Sequence, residues 1–183
     1  MAEPAWLKLA RAQIGVREIV GTKHSPVIMR WIQELGAKAL GMKINDDETP
    51  WCGTFMAWLM KQSGLTMPLI PVRAASWGRA GKYGRELLGP RLGCIMVFTR
   101  HGGGHVGLYI GEDEGDPRGR TAAARAPSFH ILGGNQSNSV SIMRIAKERL
   151  APGGMRWPHG PALPPAQIVR LRPSGAPAST NEA

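Results

Sequence analysis

The spacing of apolar residues changes once along the chain, near Gly89, and this change limits the folds available to it. Before Gly89, apolar residues recur at helical spacing in three segments, which begin near Pro4, Ser25 and Thr49. After it, short apolar runs alternate with glycine- or asparagine-rich turns; the runs are residues 93–99, 106–110, 129–132 and 139–143. Helices followed by consecutive strands are typical of an α+β domain. The sequence therefore predicts N-terminal helices packed on an antiparallel sheet.

The chain has 183 residues, which is enough for one domain with a hydrophobic core. After Trp157 it becomes rich in proline and alanine, so we expect one domain over residues 1–158 and a tail over residues 159–183. The tail should have little fixed structure, although Ile168 and Val169 could add an edge strand. No apolar run is long enough to predict membrane insertion. The first 13 residues resemble a helix more than a signal peptide, so we expect synthesis in the cytoplasm without one.

A formal net charge of +10 predicts a surface that attracts polyanions, such as nucleic acid, an anionic membrane or a cell wall. The basic residues are scattered, and they form no basic helix or aromatic-interleaved motif of the kind that reads bases. We therefore expect general surface attraction and no nucleic-acid partner. Nothing in the sequence requires a dimer, so a monomer is expected. Two cysteines are too few for a disulfide framework, and thiols are expected at both.

Cys52 is the candidate nucleophile. Thr49 can cap a helix with Pro50 in its first turn, which would make Cys52 the third helical residue. The first turn of a helix has unpaired N–H groups and a partial positive charge, and both lower the pKa of a cysteine placed there. Gly53 leaves the sulfur uncovered from the next position. The alternative is a small buried thiol without a role, which is the usual state of a buried cysteine.

His105 is the candidate base for that thiol. Three glycines, residues 102–104, precede it and deliver it at the start of a predicted strand. A cysteine at a helix N-terminus that faces a histidine on a strand is the arrangement that a thiolate–imidazolium pair needs. His101 is predicted to be a loop histidine without a role. If the strand does not face the helix, His105 is also a histidine without a catalytic role.

A third polar group usually orients a base of this kind, and Asn135 is our prediction for it. If the strands around residues 106–110 and 129–132 pair as a symmetric hairpin, Asn135 lies opposite His105. Gln136 and Asn138 are the alternatives. A further possibility is that this glycine- and asparagine-rich segment is a plain turn.

These motifs together resemble the NlpC-type and CHAP-type cysteine peptidases that act on peptidoglycan. In chain order they are Pro50-Trp51-Cys52, Gly93-Cys94-Ile95-Met96-Val97-Phe98, Gly104-His105-Val106-Gly107 and Gly133-Gly134-Asn135-Gln136-Ser137. The resemblance covers roughly residues 4–158 and is strongest to a branch found in bacteriophages and bacterial genomes. It implies a papain-like fold, cleavage of an amide bond in the stem peptide or of the bond that joins it to the sugar, and a phage-type lysis enzyme that reaches the wall after release or delivery.

Further residues complete the predicted site, and several alternatives stay open. Trp51, Trp77 and Gly104 are predicted to contact the substrate. Cys94 is a rival nucleophile, but it lies in a predicted strand, and related enzymes often have an acidic residue there. The acidic residues 46–48 are expected to form a solvated turn without a calcium ion, and the sequence predicts no metal and no cofactor. An acyltransferase, a delivered antibacterial effector and a non-catalytic basic module remain alternative functions.

Overall fold

The computed structural model describes residues 3–173, and these form an α+β arrangement of four helices and one six-stranded antiparallel sheet. The helices are α1 (Ala5–Ala12), α2 (Pro26–Leu40), α3 (Cys52–Gln62) and α4 (Ala122–Arg125). The strands are β1 (Arg85–Glu86), β2 (Ile95–Arg100), β3 (Gly103–Asp113), β4 (Ser128–Gly133), β5 (Ser141–Ala146) and β6 (Leu150–Trp157), in the spatial order β1-β6-β2-β3-β4-β5. The predicted α+β class is confirmed.

Helix α1 ends earlier than its apolar spacing predicts. The periodic pattern continues to Val20, yet the helix ends at Ala12 and the chain then turns at Gly15, where φ is 96°. Beyond this point the backbone pairs with residues 138–140, because the Gly15 amide donates to Val140 O at 2.9 Å. A tertiary backbone contact has therefore replaced two predicted helical turns.

Helix α2 begins as predicted, with Ser25 before it and Pro26 at its first position. Gly36, the predicted end, has φ 76° and ψ 155°, so it interrupts the helix, which then resumes and ends before Gly41. Gly41 has φ 78°, the left-handed conformation that commonly closes a helix.

The central strands of the sheet follow the alternating sequence pattern. In the β2–β3 hairpin, Phe98 pairs with His105 and Val97 with Val106, so His105 has a defined place near the start of β3. Strand β6 was not predicted, because Pro152, Gly153 and Gly154 interrupt its sequence and lower its strand propensity. Its position between β1 and β2 depends on pairing with residues distant in the chain.

Helix α3 packs against β3 and β4 on one side and against α2 on the other. The Trp31 side chain of α2 lies at the centre of this contact, with its ring centroid 5.2 Å from those of Phe55 and Trp58 and 6.1 Å from that of Trp51. Offset and tilted aromatic pairs of this kind contribute about 0.5–1.5 kcal/mol each beyond their burial. The N-terminal end of α3 is therefore fixed in a packed aromatic core.

The predicted tail packs on the sheet over the part that the structure describes, residues 159–173. The Glu112 amide donates to Val169 O at 2.8 Å, and the Leu171 amide donates to Glu112 O at 2.9 Å. These bonds form one isolated bridge between Glu112 and Arg170 beside the end of β3, so Ile168 and Val169 do not add an edge strand, although residues 169–171 are hydrogen-bonded to the sheet. The rest of the predicted tail lies outside the described residues. None of the helices within residues 3–173 has the length and apolar character needed to cross a membrane.

Candidate active site

Cys52 is the first residue of α3, not the third. Trp51 occupies the N-cap position, and Thr49 does not cap the helix, because its backbone amide donates instead to Asp46 Oδ1 at 2.6 Å. The predicted cap is therefore wrong, but Cys52 still lies in the first turn of a helix. The Cys52 amide is still one of the helix-start N–H groups that have no acceptor within the helix. The residue is 5% exposed.

Two contacts hold the start of α3 in place. A Cβ atom on Gly53 would lie 2.3 Å from Pro71 O and 2.6 Å from Val72 O, so only glycine permits the backbone of residues 71–72 to approach the helix there. The Trp51 indole N–H donates to Glu18 Oε2 at 3.1 Å. Glycine at position 53 thus serves backbone packing beside Cys52, whose side chain is buried.

The His105 imidazole is held by Gln136. His105 is 1% exposed, and its Nε2 atom lies 3.0 Å from Gln136 Oε1. The Gln136 side-chain NH₂ donates to Ile131 O at 3.2 Å and to Ser141 O at 2.5 Å, which fixes the amide with its oxygen toward the ring. Because an amide oxygen only accepts hydrogen bonds, Nε2 of His105 must carry the hydrogen. In the neutral ring the basic nitrogen is then Nδ1.

Asn135 was predicted for the role that Gln136 has, and this prediction is wrong. Leu108 pairs with Leu132, so a continued register would place Asn135 opposite His105, as expected. Strand β4, however, ends at Gly133, and Asn135 has φ 56°. The chain has left the strand before position 135, and its Oδ1 atom is buried without a hydrogen-bond partner. The alternative Asn138 has φ 60° in the same turn.

The segment that ends β4 touches both His105 and the start of α3. A Cβ atom on Gly133 would lie 3.0 Å from His105 Nε2, and one on Gly134 would lie 2.7 Å from Trp51 Cζ3 and 2.8 Å from Phe55 Cβ. Consecutive Cα atoms are only about 3.8 Å apart. Cys52 and Phe55 are three residues apart on α3 and share a helix face. The Gly133–Gly134 segment therefore lies between the His105 imidazole and the first turn of α3, and the facing of Cys52 and His105 stays a prediction.

The two predicted tryptophan contacts to substrate are wrong. Trp51 is 1% exposed and Trp77 is 0% exposed. The Trp77 indole N–H donates to Pro71 O at 2.7 Å, so this ring supports the backbone that lies against Gly53. Both tryptophans position neighbouring segments and do not present a surface to a ligand.

Gly104 does lie on an open cavity. The cavity has a volume of about 440 Å³, and its walls come from residues 73–75, 78–80, 97–99, 103–104 and 151–152. The short 3-10 turn Ala74–Trp77 forms one wall, and a Cβ atom on Gly104 would lie 3.4 Å from Ala74 Cβ. Neither Cys52 nor His105 lines the cavity; it begins at the residue before His105.

Cys94, the rival nucleophile, lies in the core. It is completely buried, and this burial raises the pKa of its thiol to about 12. A thiol with such a pKa stays protonated near neutral pH and is a poor nucleophile. Neither Cys94 nor Cys52 forms a disulfide in the described part of the chain, as expected.

The acidic residues 46–48 form a structural contact, and the prediction of a solvated turn is wrong for Asp47. This residue is 0% exposed, and its carboxylate accepts from the Ile19 and Ser25 amides at 2.9 and 2.8 Å and contacts His24 Nδ1 at 3.0 Å. Burial opposes its ionisation, but these hydrogen bonds outweigh burial and lower the pKa of Asp47. Within residues 3–173, no three His, Cys, Asp or Glu side chains are grouped to hold a metal ion.

Comparisons with protein-family models, with curated proteins and with solved structures each find no match for this chain. The resemblance to the NlpC-type and CHAP-type peptidases therefore stays a prediction, carried by the motifs of the sequence and by the geometry around Cys52, His105 and Gln136.

Proposed function

We propose that this chain is a cysteine-dependent peptidoglycan hydrolase that cleaves an amide bond of the stem peptide. Cys52 is the nucleophile, His105 the base and Gln136 the residue that orients the base. The observation that carries the proposal is the fixed Gln136 amide, because it holds Nε2 of His105 and leaves Nδ1 as the basic nitrogen of the ring. The arrangement of α3 on the antiparallel sheet is proposed to be papain-like.

In the first step, Nδ1 of His105 takes the proton of the Cys52 thiol, and the thiolate sulfur attacks the carbonyl carbon of the scissile amide. The carbonyl π electrons move to oxygen, and the resulting oxyanion accepts a hydrogen bond from the Cys52 backbone amide at the helix start. The partial positive charge of the helix N-terminus favours both anions, the thiolate and the oxyanion.

In the second step, the C–N bond breaks as the imidazolium gives its Nδ1 proton to the leaving amine, and a thioester remains on Cys52. Nδ1 of His105 then takes a proton from water, and the hydroxide attacks the thioester carbonyl. The C–S bond breaks, the sulfur takes the Nδ1 proton of the imidazolium, and the carboxylic acid product releases its own proton to solvent as it leaves as a carboxylate. Throughout both steps, Gln136 keeps the ring in one orientation.

The basic surface fits an anionic polymer as the substrate. A charge of +10 raises the rate at which the enzyme meets the cell wall, and this long-range attraction falls as salt shortens the screening length. The proposed enzyme reaches the wall after release or delivery, as a phage-type lysis enzyme does.

The test is the clearing of purified sacculi by the wild type, by Cys52→Ala and by Cys94→Ala as a matched control. Clearing by the wild type and by Cys94→Ala, but not by Cys52→Ala, is the expected result. Mass spectrometry of the released muropeptides should show a new amine at the bond that is cut. Equal clearing by Cys52→Ala would exclude the cysteine mechanism, and duplex-DNA binding without clearing would favour a non-catalytic basic module.

A further inference from the structure

The cavity beside Gly104 has walls of small residues and a positive rim. Alanines and glycines supply most of its walls: Ala74, Ala75, Gly78, Ala80, Gly103, Gly104 and Ala151. None of the residues that line it is acidic, whereas two are arginines, Arg73 and Arg79. Its volume of about 440 Å³ falls in the range of small-ligand pockets, roughly 300–1,000 Å³. The cavity thus has room for a small apolar group. Its two arginines give it a positive charge that favours a negatively charged ligand group.

The two arginines of the rim differ in their partners. Arg79 makes an ion pair with Glu86, with an N–O distance of 2.6 Å. The Arg73 side chain is exposed, and no residue in the described range 3–173 makes a hydrogen bond or ion pair with its guanidinium. A guanidinium presents several N–H donors in a planar fork that matches a carboxylate. Arg73 is therefore the cation that is available to a ligand.

The cavity is connected to both halves of the proposed site through the backbone. Gly104, on its wall, immediately precedes His105. Arg73 and Ala74 directly follow Val72, whose carbonyl oxygen lies against Gly53, the residue after Cys52. The cavity is therefore lined by residues that adjoin both segments of the proposed site.

We propose that this cavity is a substrate subsite for a peptide residue with a small apolar side chain and a free carboxylate, and that Arg73 binds the carboxylate. The subsite rests on the proposed hydrolase function and adds a substrate class to it. Arg73 determines specificity through a charge-assisted bidentate hydrogen bond, while the short alanine and glycine side chains of the walls leave room for the side chain of the bound residue.

The test uses two N-acetyl peptides that end in D-alanine and differ only in a terminal carboxylate or carboxamide. Their binding to the Cys52→Ala protein is measured by calorimetry, so that no cleavage occurs. The carboxylate peptide should bind about 10- to 100-fold more tightly, the range expected for a hydrogen bond between charged groups. Arg73→Gln should reduce this preference to about twofold or less by removing that bond.

Arg118→Gln is the matched control. Arg118 is an exposed arginine in the loop between β3 and α4, and its loss removes the same unit of charge away from the cavity. This variant should keep the full preference for the carboxylate peptide. If it loses the preference as Arg73→Gln does, the effect belongs to the overall charge and the subsite is wrong.

Ala151→Leu tests the size of the subsite without changing charge. The larger side chain fills part of the cavity, so binding of both peptides should weaken, by about tenfold or more. Failure of the two proposals can be told apart. Clearing of sacculi with no carboxylate preference would overturn the subsite alone, and an Arg73-dependent preference without clearing would overturn the hydrolase alone.

Discussion

Two buried histidines on neighbouring strands, His105 on β3 and His130 on β4, are held in opposite ways. Nε2 of His130 lies 2.7 Å from Asp113 Oδ2, and Arg144 donates to both oxygens of the same carboxylate at 2.8 Å. Nε2 of His105 instead bonds a neutral amide, that of Gln136. One ring is part of a closed ionic network, whereas the other is oriented by a group without charge.

The difference indicates which histidine is suited to proton transfer. Burial opposes ionisation of Asp113, but hydrogen bonds from Arg144, the Gly115 amide and His130 outweigh it and lower the pKa of this carboxyl. The ionised Asp113 carboxylate therefore serves the fold, through its hydrogen bonds with Arg144, the Gly115 amide and His130. An amide partner orients the His105 ring and leaves its charge to change during a reaction.

The largest effect should separate the two histidines in activity. His105→Ala should lower the rate of muropeptide release by at least about 10³-fold, because the base and acid of both steps is removed. His130→Gln should keep activity within about threefold, since this ring is outside the proposed site. Circular dichroism would verify that both variants are folded. Comparable activity losses in both would remove the distinction between the two rings.

The second effect is on stability and should come from the ionic network. Asp113→Asn should lower the free energy of unfolding by about 3 kcal/mol at pH 7, because Arg144 keeps a buried charge without its counter-ion. The folded-state pKa of Asp113 is lowered, so its contribution is complete above the unfolded value of 3.8 and is lost as pH falls through the folded value. Urea unfolding at pH 7 and at about pH 3 should show the difference between wild type and variant narrowing in acid. A constant difference would contradict this.

The third effect concerns the neutral partner of His105. Gln136→Ala should lower kcat by about 10- to 100-fold, since a hydrogen bond to a ring that becomes charged contributes about 1.5–3 kcal/mol. Gln136→Glu would give His105 a carboxylate partner like that of His130. A carboxylate favours the charged ring, so the pH profile of kcat/KM should move to higher pH. An unchanged profile would indicate that Gln136 does not act through His105.

The smallest effect should come from the residue next to Gln136. Asn135→Gly should change activity by less than about twofold and stability by less than about 1 kcal/mol. Glycine accepts the φ of 56° and removes a buried oxygen that has no partner, although it also loosens the unfolded chain. Steady-state kinetics would check this. A tenfold loss of kcat would restore Asn135 as the orienting residue.

Local sequence signals were sufficient to place Cys52 and His105 in their secondary-structure elements. Cys52 starts a helix and His105 lies near the start of a strand, and both positions follow from apolar spacing and from the glycines that interrupt it. The α+β class follows for the same reason, because helix and strand periods are properties of short segments. The register that would place residue 135 opposite His105 is present at Leu108–Leu132 and Tyr109–Ile131, but a bulge shifts it by one residue from Gly111–His130 onward.

Contacts between distant segments decided the rest. A turn after Gly133 moves Asn135 away and brings Gln136 to the ring, and the sequence Gly-Gly-Asn-Gln allows either outcome. Whether Trp51 faces solvent depends on α2 and Glu18, which lie far along the chain. A sequence pattern describes a residue and its neighbours along the chain. The end of a strand depends on which distant backbone groups accept or donate its hydrogen bonds, and the burial of a ring depends on which distant segments pack on it. The sequence by itself therefore determined the helix and strand that carry Cys52 and His105. Only the tertiary structure determined that Gln136 contacts the His105 ring and that Trp51 is buried.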